Sequence, residues 1–180
     1  MAKNKTFDLI LSALGAALIA VCSWLIIPGA VPFSLQTFAV YCVLCLFGAK
    51  IGLQSILTYI IIGAVGVPVF SGFSSGIGWL FGTTGGYIIG FIFIGLIYAL
   101  SAKLFPKKLR YSMISLVIGT VVCYAFGTGW YMIVYAKANG PIGVATALSW
   151  CVLPFVIPDM VKLFLAVFLS EKLKPIILKK

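Results

Sequence analysis

A chain of 180 residues that is 63% hydrophobic and only 9% charged carries more apolar surface than a soluble domain of that length can bury, so lipid must cover the surplus. The formal net charge of +10 would suggest a nucleic-acid partner in a soluble protein. Here Lys and Arg sit mostly at the chain ends and between apolar runs, which is topology signalling and not a nucleic-acid stripe.

The first apolar run, residues 7–27, is long enough to span a bilayer core, which needs about 20 apolar residues. No convincing small-residue cleavage site follows it and further apolar segments come at once, so it is read as a retained helix and not as a leader. Proline and glycine between Ile27 and Pro32 break it. Two shorter runs follow, 35–48 and 51–67, separated by Ala49 and Lys50. A stretch from 68 to 86, dense in Gly, Ser and Thr, precedes the fourth run, 87–104. The cluster Lys103, Lys107, Lys108 and Arg110 separates that run from the fifth and longest, 112–135. The connection 137–154 has room for a short helix, and Pro158 opens a final run, 158–171, where a missing N–H is tolerated. The expected fold is an all-α integral membrane protein, one transmembrane domain over 1–180 with six helices and a long structured outer loop between helices three and four.

Lys3 and Lys5, Lys50, the 103–110 cluster, and Lys172, Lys174, Lys179 and Lys180 fall on alternate connections and both ends. Six helices put all of these on one side, which the positive-inside rule makes cytoplasmic, with both termini there. The three other connections carry only Lys137 as a loop cation, and they are expected to face outward.

That sidedness places Asp159 and Lys162 toward the outer end of the membrane, three positions apart and so on one helical face. Charges at membrane depth cost about 2.5 to 3.5 kcal/mol each on insertion scales, so such residues usually face a cavity and have partners. One reading has Asp159 stabilise a helix N-terminus while Lys162 snorkels or pairs with it. The other has Asp159 accept hydrogen bonds from a ligand's N–H groups while Lys162 donates to an oxygen of the same ligand. The glycine-rich stretch likewise reads either as an interfacial loop, with Trp79 and Tyr87 in the aromatic belt, or as a lid. A lid would offer backbone N–H groups to an anion and Phe70, Phe73 and Trp79 to an apolar ring.

Other chemistries find little support. With no histidine and three acidic residues, Asp8, Asp159 and Glu171, neither metal hydrolysis nor histidine acid–base catalysis is available, so no enzyme, metal site or cofactor is expected. Cys22, Cys42, Cys45, Cys123 and Cys151 are odd in number, and Cys42 and Cys45 lack a soluble redox context. They read as small hydrophobes. The G-x-x-x-x-G-K-[ST] phosphate loop is absent.

Four stretches carry a family resemblance: Pro32-Phe33-Ser34-Leu35-Gln36-Thr37-Phe38, Gly66-Val67-Pro68-Val69-Phe70-Ser71-Gly72-Phe73, Gly82-Thr83-Thr84-Gly85-Gly86-Tyr87 and Pro158-Asp159-Met160-Val161-Lys162. Together, and in this order over nearly the whole chain, they resemble the BioY family of biotin transporters. Thr83 departs from the proline expected in the family's glycine-rich motif. The resemblance implies an S-component of an energy-coupling-factor transporter, with biotin held near the outer surface under loops. Asp159 and Lys162 match the family's polar pair contacting the ligand. Biotin's ureido group has two N–H donors and a carbonyl, suited to that pair, although Lys162 also suits the carboxylate tail. Phe73, Gln36, Ser75, Thr83, Thr84, Gly85 and Tyr87 are the further candidate contacts.

Partners implied by the resemblance are a transmembrane coupling subunit and two ATP-binding subunits, which alone use ATP. For docking them, helix one offers the small-xxx-small pairs Ala13 with Ala17 and Ala16 with Ala20, which serve equally for packing within the chain. An S-component for another vitamin and an assembly subunit that binds no small molecule are the alternative readings.

Overall fold

The computed structural model describes residues 5–27, 33–106 and 108–177; Lys3, the 28–32 break, Lys107, Lys179 and Lys180 lie outside them. In chain order the elements are α1 (Lys5–Trp24), β1 (Ile26–Ile27), β2 (Phe33–Ser34), α2 (Gln36–Val65), a 3₁₀ turn at Ser71–Phe73, α3 (Ile77–Leu80), α4 (Gly85–Leu104), α5 (Leu109–Asn139), α6 (Val144–Cys151) and α7 (Leu153–Ile177). Five segments are long and apolar enough to cross a membrane: α1, α2, α4, α5, and α6 with α7 taken together. Outward-facing Leu9, Ile61, Val121 and Phe168 are each at least 60% exposed, as lipid-facing residues are. The chain is therefore a multi-pass membrane protein.

The segment α2 is not one straight rod. Gly48 has φ 83°, a left-handed value that glycine alone adopts without strain, and the chain reverses there. Gln36 Nε2 donates to the Tyr59 hydroxyl at 2.7 Å, and Gly52 lies so close to Leu44 that an added Cβ would sit 2.8 Å from the Leu44 Cα. Neither approach is available to a straight helix, which advances 1.5 Å per residue. Residues 36–47 and 49–65 are thus the two arms of a helical hairpin. α1 packs along both arms, with Gly15 against Val43 and Ser55 and with Ser12 Oγ 3.3 Å from Gln54 Oε1. α4 and α5 pair closely where Gly119 meets Ile94. Tyr41, Leu44, Ile56, Tyr59, Ile94, Leu116 and Leu163 fill the centre and are all but fully buried.

The final helix begins at Leu153, before the expected start at 158, and carries Pro158 and Pro175 inside it. Pro158 is therefore not the opening residue. It lies in the second turn, where it removes the N–H that would have bonded the Pro154 carbonyl. The turn after α5 holds α6, and the 66–84 segment holds the 3₁₀ turn and α3.

The hairpin turn also sorts charge. Asp8 at the start of α1 lies 3.5 Å from Lys50 just past Gly48. The ends of α4 and α7 and the start of α5 meet Gly48 around one cavity whose lining includes Lys108 and Lys174. Among the described cations, all but Lys137 and Lys162 gather at this end. β1, β2, the 66–84 segment and the α5–α6 turn form the other.

Close packing at the hairpin gives a direct test. Gly52→Val forces the arms apart and should lower stability by about 1–3 kcal/mol. Gly78→Ala, where an added Cβ meets nothing within 4 Å, should leave the unfolding temperature in detergent unchanged.

Candidate functional site

At the end away from the cations, α2, α4, α5 and α7 enclose a cavity of about 70 Å³. Its polar wall is built from three segments. β1 and β2 pair antiparallel, with Ile26 opposite Ser34, and the Leu35 N–H adds a bond to the Leu25 carbonyl at 3.2 Å. This pins the entry to α2 and fixes the Ser34 carbonyl and the Thr37 hydroxyl. α5 contributes Thr120, Cys123 and Tyr124, and α7 contributes Asp159 and Lys162 from the turn after Pro158.

Asp159 is 2% exposed and Lys162 6%. Their Oδ1 and Nζ atoms are 2.8 Å apart. Thr37 Oγ1 donates to Asp159 Oδ1 at 3.0 Å, and the Tyr124 hydroxyl donates to Oδ2 at 2.6 Å. Lys162 Nζ also donates to the Ser34 carbonyl at 2.7 Å and to Thr37 Oγ1 at 3.2 Å, and it sits 4.0 Å from the centre of the Phe33 ring. An ammonium has three N–H donors, so Lys162 is saturated. A carboxylate accepts about four hydrogen bonds, so the three received by Asp159 leave one acceptor position, on Oδ2. Asp159 lies beyond the first turn of α7, and three side chains hold its charge where a helix N-terminus was one alternative.

Apolar residues complete the cavity: Ile88, Phe91 and Ile94 of α4 and Phe155 of α7. Phe155 stacks on Phe33 with ring centroids 6.1 Å apart. One wall therefore hydrogen-bonds and the other offers only dispersion and burial. That combination suits a small ligand with a polar head and an apolar body.

Of the residues singled out in the sequence, Asp159, Lys162, Gln36, Thr84 and Tyr87 line this cavity, whereas Phe73, Ser75, Thr83 and Gly85 do not. Phe73 is 63% exposed and stacks on Trp24 at 4.9 Å. Phe70 is fully buried, edge-on to Tyr59, so it belongs to the core and is not a cover. Gly85 is buried against the Leu80 carbonyl, a close approach that only glycine permits. The 66–84 segment reaches the cavity through Ser71 and Thr84, and Trp130 Nε1 anchors it by donating to the Gly82 carbonyl at 3.0 Å. Thr37 and Tyr124 were not singled out. Thr37 stood inside a quoted motif, while Tyr124 gave only the weak signal of a hydroxyl midway along an apolar run. All five cysteines are buried free thiols, and Cys123 and Cys151 line the cavity. On α1, Ala16 and Ala20 are buried within the chain, whereas Ala13 and Ala17 are exposed.

Comparison with known proteins gives the lineage. The BioY family matches residues 1–179. The chain belongs to the BioY family. Among its relatives, the probable biotin transporter BioY of Pyrococcus horikoshii is 41% identical over 146 residues, covering 81% of this chain and 82% of that protein. The biotin transporter BioY of Thermotoga maritima is 35% identical, covering 93% and 95%. The biotin transporter BioY2 of Lactococcus lactis is 36% identical, covering 92% and 88%. The crystal structure of the S-component for biotin from an ECF-type ABC transporter is similar, with a TM-score of 0.82 and 26% identity, over 97% of this chain and 95% of that one.

The Asp159–Lys162 pair should behave as a coupled unit. Removing one partner of a buried pair strands the other and costs about 3–5 kcal/mol, so Asp159→Leu and Lys162→Met should each lower stability far more than half of what the double variant loses. Tyr124→Phe, which takes one donor from the carboxylate, should cost about 1–3 kcal/mol. Unfolding temperatures of the four variants check both statements.

Proposed function

We propose that this chain is the substrate-binding membrane subunit, or S-component, of an energy-coupling-factor transporter, and that biotin is its substrate. The observation that carries the proposal is the buried Asp159 carboxylate with one open acceptor position on a cavity at the cation-poor end. Family membership and the names of the relatives support it. The reading is of a transporter subunit and not an enzyme.

Asp159 takes a ureido N–H of biotin on its open acceptor position. Lys162, already saturated, positions Asp159, and it meets a ligand oxygen only by releasing Ser34 or Thr37. Phe91, Ile94 and Phe155 face the apolar thioether ring. Gln36, Thr84 and Tyr87 are further contacts, and Phe73, Ser75, Thr83 and Gly85 act through the shape of the loop they share. Pockets for small ligands run from about 300 Å³, so admitting biotin widens the cavity, and the 66–84 segment, which contributes Ser71 and Thr84, is the element that yields.

Each arm of the α2 hairpin counts as one crossing, giving six. The basic end is cytoplasmic by the positive-inside rule, which puts both termini inside and the cavity toward the outer face of the plasma membrane. Energy comes from a module of one transmembrane coupling subunit and two ATP-binding subunits. Ala13 and Ala17 are the small residues of α1 left open for docking it, because Ala16 and Ala20 are consumed within the chain.

The test is equilibrium binding of biotin to the purified chain in detergent, with thiamine and riboflavin as competitors. Uncompeted saturable binding is the expected result, and Asp159→Asn, which removes the charge but keeps the shape, should weaken it at least tenfold, about 1.4 kcal/mol, measured at a temperature where thermal unfolding shows the variant still folded. Displacement by another vitamin would reassign the substrate. No binding by folded protein would leave a membrane subunit that takes no small molecule.

A further inference from the structure

Beside the buried pair, the outer cavity holds a further polar side chain whose hydrogen-bonding capacity is only partly used. Gln36 lines the cavity and is 4% exposed. It is the first residue of α2, where the β1–β2 pairing pins the chain and its backbone N–H reaches Ser34 Oγ at 3.3 Å. One amide N–H donates to the Tyr59 hydroxyl at 2.7 Å, and Tyr59 is itself buried and set edge-on to Phe70. The amide is therefore held in one place. A carboxamide carries two N–H donors and a carbonyl acceptor, so one N–H and Oε1 remain, and neither has a partner among the described residues. Buried amide groups are nearly always paired, so these two await a ligand.

Neighbouring donors are committed elsewhere. Lys162 is saturated, the Tyr124 hydroxyl donates to Asp159, and the Thr120 hydroxyl donates to the Leu116 carbonyl at 2.8 Å. Asp159 keeps one acceptor position. Asp159 and Gln36 together thus offer the cavity two unspent acceptors and one unspent donor. A cyclic urea is the complement of that set. Its carbonyl stands between two N–H groups, and each N–H lies alongside the C=O, so that one carboxamide can meet both.

We infer that Gln36 determines specificity at this site: its Oε1 accepts the ureido N–H that Asp159 does not take, and its free Nε2–H donates to the ureido carbonyl. The inference rests on biotin as the substrate and supplies the partners for the half of its head that Asp159 leaves unmet. It also says what the site refuses. An imide edge, such as a flavin ring presents, runs acceptor, donor, acceptor, and so sets like against like at every position. A site built to pair such groups rejects a ligand that leaves them unpaired.

The experiment is equilibrium binding of biotin and of iminobiotin to the purified full chain and to three variants of it. Iminobiotin, protonated at neutral pH, carries N–H groups where biotin carries its carbonyl oxygen, so the free Nε2–H of Gln36 would meet a donor. Gln36→Glu, which puts an acceptor in place of that donor, should shift the ratio of the two affinities toward iminobiotin by about tenfold or more. Gln36→Ala should weaken biotin by about tenfold or more and iminobiotin by clearly less, which moves the ratio the same way. Tyr59→Phe breaks the same interior bond but leaves the amide on the cavity, and it should keep the parent's ratio. A structural role for Gln36 would weaken both ligands alike, so biotin binding by the parent with an unchanged ratio in both Gln36 variants would overturn the assignment. A ratio that moves as far in Tyr59→Phe as in Gln36→Ala would overturn it as well. A folded parent chain that binds no biotin would overturn it together with the reading on which it rests.

Discussion

The structure turns on a charged pair kept out of water in the middle of an apolar bundle. An isolated carboxylate or ammonium at that depth would be unstable, so Asp159 and Lys162 persist only because four segments bring them partners. α7 sets the pair one turn apart, α5 brings the Tyr124 hydroxyl, α2 brings Thr37, and the β1–β2 pairing holds the Ser34 carbonyl in place. The partners come from two stretches far from α7 in sequence, 34–37 and Tyr124, so the site forms only when the bundle has formed. Lys162 has spent its donors inside the protein and Asp159 has kept one acceptor position. A network left in that balance is stable enough to fold and still has something to offer a ligand.

Charge is sorted along the bundle as well as within it. The first arm of α2 returns the chain to the end where α1 starts and reverses there at Gly48, so Lys50 joins Lys5, and the α4–α5 connection and the end of α7 add their cations to the same rim. The opposite end is built from a strand pair, a short 3₁₀ turn and two short helices, with backbone groups bonded locally. One end is suited to anionic headgroups and the other to an uncharged opening over the buried pair.

Much of this was legible in the sequence because hydropathy, cation placement and glycine or proline breaks are local signals. The apolar runs, the multi-pass character and the family resemblance came from such signals, as did attention to Asp159 and Lys162, since charges inside an apolar run are conspicuous. What was not legible depends on long-range packing. The early start of the last helix was hidden because Pro158 read as its opening residue, although a membrane helix tolerates proline inside it. Phe70 looked like a cover and is core, because only the fold shows it set against Gly63 and Tyr59. Ala13 and Ala16 were indistinguishable as small residues until the hairpin claimed one face of α1 and left the other. Thr37 and Tyr124 lie 122 and 35 positions from Asp159, and nothing local in the sequence connects them to it.

The central claim is that Asp159 recognises a ligand N–H through its one open acceptor position, with Lys162 committed to holding the carboxylate. Calorimetric titration of the parent chain with biotin, with biotin methylated on its ureido nitrogens and with biotin methyl ester tests it most directly. The account predicts that blocking the ureido N–H groups weakens binding more than tenfold, while masking the carboxylate costs far less. Equal binding of the N-methylated analogue, with loss confined to the ester, would contradict it and move recognition to the carboxylate tail.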